Sequence, residues 1–219
     1  MVPGCRPTSD SRSASHNHSP TTVSTVTQQA QAPTTPLFEG DDNLFRREIA
    51  ACRVYGEYGC GSSTIWVAHH SNARILAVDS SPAWIAKVRK ATADQSERIS
   101  IKAIDLGELG DWGYPTTYRH RHHFRNYVHS PWQHGAVKPD LVLIDGRFRV
   151  ACFLHSLLAA APGTSILFDD YTNRPHYHLV EEFCPIEQTE GRQALFRVPE
   201  ELDREAIGRE LEGFLMVRD

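Results

Sequence analysis

The sequence has no apolar run approaching the roughly 18 residues that a membrane-spanning helix needs, so no membrane partner is expected. It has no C-x-x-C spacing either. Its five cysteines, Cys5, Cys52, Cys60, Cys152 and Cys184, are scattered and odd in number. That pattern indicates neither a zinc ribbon nor a disulfide framework, and a reducing cytoplasm fits best. A large excess of positive or negative charge is lacking too. A formal net charge of -4 gives no global attraction to nucleic acid, and none is expected as a partner. Residues 1–36 hold almost no large apolar side chains and are rich in Ser, Thr, Pro and Gln. Such a stretch cannot offset its chain entropy by burial, which predicts a disordered tail. Without an apolar core segment it does not read as a secretory signal. Residues 37–219 then have room for one sizeable hydrophobic core.

What is present begins with a strand-like run that ends in glycines, Val54-Tyr55-Gly56-Glu57-Tyr58-Gly59-Cys60-Gly61, followed by a helix-like segment from Ser63 to Ser71. A strand–loop–helix unit aims its loop amides and helix N-terminus at whatever lies above the strand. The dinucleotide fingerprint G-x-G-x-x-G would need a glycine at position 64, which is threonine. Glu57 would repel a pyrophosphate but could accept hydrogen bonds from an ammonium group. The loop therefore favours a nucleoside carrying an amino acid over a dinucleotide. A second apolar strand, Ala73 to Val78, ends in Asp79. Ser80-Ser81-Pro82 starts a helix with proline in its first turn. Further strands are predicted at Arg98–Ile104, Pro139–Ile144 and Thr164–Phe168, then a hairpin turning at Gly191 and a terminal helix over Glu200–Val217. Apolar strands alternating with helices indicate an α/β protein with a parallel sheet.

Glu57-x-Gly59-x-Gly61 at a first strand, with Asp79 closing a second, resembles the class I S-adenosylmethionine-dependent methyltransferases over roughly residues 40–199. Asp-Gly-Arg-Phe-Arg from Asp145, Phe-Asp-Asp-Tyr from Phe168 and Trp112-Gly113-Tyr114-Pro115 are similar to a bacterial-type group within it. The resemblance implies a Rossmann-like, seven-stranded, mostly parallel sheet of order 3-2-1-4-5-7-6 with helices on both faces. It also implies S-adenosylmethionine as cofactor, held by Glu57, Gly59, Gly61, Asp79 and the adjoining Ser80, with Asp105 meeting the adenine amino group.

Gly107 to Pro139 is the longest stretch without clear period. Its aromatics and its arginines, Arg119, Arg121 and Arg125, suggest a substrate lid near 107–138 that favours an anionic small molecule. His120, His122 and His123 lack the i,i+4 spacing of a helical metal site. Asp145, Asp169 and Asp170 end neighbouring central strands, which places them at one crevice. There they would act as catalytic carboxylates or hold a divalent cation. Catechol-type O-methyltransferases carry metal-binding acidic residues after the same two strands, but have asparagine where this chain has Asp170. The expected activity is methyl transfer to an oxygen or nitrogen. The competing readings are an NAD-linked oxidoreductase and a non-enzymatic cofactor-binding module.

Overall fold

The computed structural model describes Met1 and residues 36–219; the expected disordered tail lies outside the described residues. Seven strands, β1 (Val54–Tyr58), β2 (Arg74–Asp79), β3 (Ile99–Ala103), β4 (Leu141–Ile144), β5 (Ser165–Phe168), β6 (Ile186–Glu190) and β7 (Gln193–Arg197), form one sheet. Their order is β3-β2-β1-β4-β5-β7-β6, as the resemblance implies. β1 to β5 pair in parallel, and β7 runs antiparallel to both β5 and β6. Gly191, at φ +56°, makes the expected turn of the β6–β7 hairpin.

The central strands β4 and β5 are apolar on both faces because both faces are covered. Val142 and Ile144 point into one core, while Leu141 and Leu143 point into the other, the period-2 alternation of a strand. The second core is closed by α1 (Asn43–Ala51), α2 (Ser62–His70) and α3 (Pro82–Ala91). The first is closed by α4 (Phe124–His129), α5 (Arg149–Ala159) and α6 (Arg204–Phe214). Pro175–Glu182, between β5 and β6, is a 3₁₀ helix.

The expected lid divides in two. Its second half belongs to the core: Phe124, Tyr127, Val128 and Trp132 are buried. The Trp132 indole donates to Ser156 Oγ at 3.2 Å, and the Tyr58 hydroxyl donates to the Val128 carbonyl at 2.6 Å. Phe124, Tyr127 and Val128 are spaced i, i+3, i+4, a single helical turn of apolar stripe that is too short to stand out as a period. The first half reaches the sheet's carboxyl edge as exposed chain, where Trp112 is 93% exposed, and of the second half Tyr127 comes to the same edge.

Candidate functional site

A cleft of about 770 Å³ opens at the carboxyl ends of β1, β2, β4 and β5. That is where parallel sheets bind ligands. On one side its wall is Gly59, Gly61, Ser63, Asp79 and Ser80; on the other it is Asp145, Arg147, Arg149, Asp170, Arg174 and Arg192. Leu37, Phe38 and Glu39, before α1, supply part of the rim.

The two loop glycines do different work. Gly59 has φ +91°, and a Cβ on it would stand 2.8 Å from the Gly146 Cα. It is needed where the loop after β1 crosses the loop after β4. Gly61 has extended backbone, and a Cβ there would meet nothing within 4 Å. It keeps that part of the cleft wall free of side chain. Asp79 is held by the Ser81 amide, which donates to Oδ1 at 2.6 Å. Burial raises its pKa, and the Ser81 and Cys60 amides oppose the shift.

Glu57 does not line the cleft. It is wholly buried, and its carboxylate accepts from the hydroxyls of Ser63 and Thr64. It organises the loop from behind, fastening β1 to the first turn of α2, so contact with an ammonium group is not its role here. Burial pushes its pKa up to about 7, against the lowering effect of those hydroxyls. Since the same group in an unfolded chain titrates near 4.5, the folded state holds the proton more tightly. Its contribution to stability is full below the unfolded value and is lost as pH rises through about 7. Glu57→Gln should flatten this slope. Denaturant unfolding at pH 5 and pH 8 should show a smaller stability difference for the variant, by up to about 1.4 kcal/mol per pH unit across the window. An unchanged difference would mean that Glu57 is ionised in the folded protein throughout.

Asp105 is also displaced from its expected place. The chain turns after β3, with the Gly107 amide donating to Asp105 Oδ1 at 2.9 Å, and the side chain is 66% exposed beside His120, off the cleft. Trp112, from the expected lid, and Trp84, which the sequence did not single out, line the cleft instead. Trp84 lies off the Ile85–Val88 buried stripe of α3, a signal that could have marked it as facing outward.

The three aspartates converge, with one oxygen from each within 4.8 Å of the others. Each is already paired with arginine. Arg149 lies 3.1 Å from Asp145 and 3.2 Å from Asp170; Arg174 lies 2.8 Å from Asp170; Arg192 lies 2.7 Å from Asp169 and 3.1 Å from Asp170. Three guanidiniums occupy the cationic positions, so the donor set fits arginine and does not fit a divalent ion. Asp169 is wholly buried, receives Gln193 Nε2 at 3.0 Å as well as Arg192, and does not line the cleft. It anchors Arg192, and the catalytic expectation for it is corrected. Asp170, in left-handed backbone at φ +56°, and Asp145 both line the cleft. Burial raises the Asp145 pKa, Asp169 and Asp170 add to the shift, and Arg149 opposes it.

Arg119, Arg121 and Arg125 are not cleft residues. Arg125 pairs with Glu212 at 2.6 Å, and Arg121 reaches the Tyr118 carbonyl. Arg147, which lines the cleft, has no carboxylate partner among the described residues.

No family model and no curated protein matches the chain in sequence. Solved structures do. A methyltransferase-like protein from Silicibacter pomeroyi DSS-3 is 31% identical, with a TM-score of 0.69 over 78% of this chain and 91% of that chain. An O-methyltransferase from Bacillus cereus, solved with SAH, is 18% identical, with a TM-score of 0.48 over 70% of this chain and 77% of that one. The N-methyltransferase NodS from Bradyrhizobium japonicum WM9 is 20% identical, with a TM-score of 0.41 over 73% and 99%. Given the strand order, the glycine loop with Asp79 beyond it, and an identity of 31% over most of both chains, this chain belongs to the class I S-adenosylmethionine-dependent methyltransferases.

Proposed function

We propose that the cleft binds S-adenosylmethionine along the Gly61–Asp79 wall and that the methyl group passes to an oxygen or nitrogen of a small anionic acceptor on the arginine-lined side. The observation that carries this reading is Asp145, a carboxylate on the cleft wall whose pKa is raised, sharing that wall with Arg147, which has no carboxylate partner among the described residues. S-adenosylmethionine supplies an electrophilic methyl on a sulfonium, and sulfur keeps the bonding pair when the carbon is displaced. The chain's share of the work is alignment, exclusion of water and removal of the acceptor's proton. Asp79 accepts hydrogen bonds from the ribose hydroxyls. Gly61 leaves the space that the cofactor fills. Arg147 receives the acceptor's anionic group, and Asp145 takes the proton that the acceptor loses as the new bond forms.

Titration calorimetry tests the cofactor half. S-adenosylmethionine should bind where NAD does not, and Asp79→Ala should weaken it by about 1–3 kcal/mol for lost hydrogen bonds. Equal binding of NAD, or unchanged affinity in a folded Asp79→Ala protein, would refute it. Labelled cofactor incubated with fractionated metabolite extract tests the acceptor half, and the label should enter the anionic fraction.

A further inference from the structure

A second cluster of ligand-type side chains lies outside the cleft, where β3 gives way to the segment that carries Trp112. Asp105, His120 and His123 each offer one ligand atom, and the three atoms lie within 4.8 Å of one another. We propose that these residues bind one divalent transition-metal ion of the zinc class, and that the ion fastens the base of the 106–119 segment beside the cleft.

The spacing is right for the local helix. Residues Arg121–His123 form a 3₁₀ turn, and at three residues per turn positions i and i+3 eclipse. His120 and His123 therefore share a face, as i and i+4 would on an α-helix, with ring centroids 5.8 Å apart. The Nδ1 of His120 is buried and stands 3.2 Å from Asp105 Oδ2, yet no hydrogen bond joins them. Two ligand atoms of a tetrahedral zinc site, each about 2.0–2.1 Å from the metal, would stand about 3.3 Å apart.

The remaining atoms of the cluster are engaged in ways that leave the ligand atoms free. Asp105 Oδ1 accepts the Gly107 amide, which leaves Oδ2 for the ion. His123 Nδ1 donates to the Asp105 carbonyl at 2.6 Å, the outer hydrogen bond that orients metal-bound imidazoles, and the opposite nitrogen keeps its lone pair. Gly107, at φ +89°, admits the His120 ring, which a Cβ there would meet at 3.2 Å. Imidazole nitrogen with one carboxylate suits zinc, cobalt or nickel better than magnesium or calcium. The exposed side of Asp105 leaves a fourth position to solvent.

The test uses the full chain, stripped with a chelator and titrated with Co²⁺, and it does not depend on any acceptor or on turnover. One equivalent should give the strong visible absorption of tetrahedral cobalt, and Zn²⁺ should abolish it. His120→Ala and His123→Ala should each weaken binding about 100-fold or more, with folding checked by circular dichroism. Asp105→Asn keeps an oxygen for the Gly107 amide and should weaken binding about tenfold or more; it decides the matter if either histidine variant fails to fold. His122→Ala should bind as the parent does. No tetrahedral band in the parent, or a band retained at full affinity in folded His120→Ala, His123→Ala or Asp105→Asn protein, would overturn the site.

Discussion

Asp145→Asn should slow methyl transfer by about 100-fold or more while cofactor affinity stays nearly unchanged. General-base catalysis of this kind contributes typically about 10²–10⁴-fold, and the amide keeps the size of the side chain while losing its basicity. The pH profile supplies a second readout. A base works only when deprotonated, and burial beside Asp169 and Asp170 lifts Asp145 above the ordinary carboxylate range. The parent's rate should therefore rise with pH through that elevated pKa. The variant's residual rate should lack this rise. Single-turnover rates on an identified acceptor, measured across pH for both proteins, would check it. Full activity in Asp145→Asn would leave this carboxylate as the partner of Arg149 and nothing more.

Gly61→Val should abolish cofactor binding in a protein that still folds, whereas Gly59→Val should fail to fold or unfold at much lower temperature. The two glycines are two residues apart in one loop, yet they meet different surroundings. At Gly61 the backbone is extended, a conformation open to any residue, and the space around the new Cβ is free. The valine side chain would take cleft volume and little else. At Gly59 the residue is left-handed, and a Cβ would lie 2.8 Å from Gly146 Cα and 2.9 Å from its nitrogen. The facing loop is equally crowded, because a Cβ on Gly146 would in turn meet the Tyr127 hydroxyl and stand 2.8 Å from the Tyr58 carbonyl carbon. Thermal melts with and without S-adenosylmethionine would separate the two cases. A Gly61→Val protein stabilised by the cofactor as strongly as the parent would show that this wall is not where it sits.

The fold was legible because its signals are local and strong. Continuous apolar runs such as Leu141–Ile144 can be explained only by burial on both faces, and Gly191 marks its hairpin. That side of the cleft was legible in part, since Gly61, Asp79 and Ser80 reach it from the loops that follow β1 and β2. Glu57 and Asp105 were misplaced for a common reason. Spacing along a chain fixes which strand end a carboxylate follows, but not whether neighbouring donors claim it first. Ser63 and Thr64 do so for Glu57, and the Gly107 amide does so for Asp105. Of the arginine side, only Arg147 and Arg149 showed, as part of the Asp-Gly-Arg-Phe-Arg motif and without a role. Arg149, Arg174 and Arg192 come from three elements far apart in sequence and meet only through Asp145, Asp169 and Asp170. The lid arginines looked more promising because they cluster in sequence, and they lie elsewhere.

Leu37, Phe38 and Glu39 carry a practical consequence for anyone trimming the chain. Residues just ahead of the first helix look like the natural place to cut. Phe38 is 5% exposed and meets the Phe45 ring edge-on at 5.1 Å, and Glu39 lies 3.4 Å from Arg192 across the cleft rim. A shortened protein that starts at Gly40 would lose an aromatic wedge from its core and part of the cleft wall together. A binding defect in such a truncation would then report on the surgery and not on the natural protein, so the cut belongs ahead of Pro36.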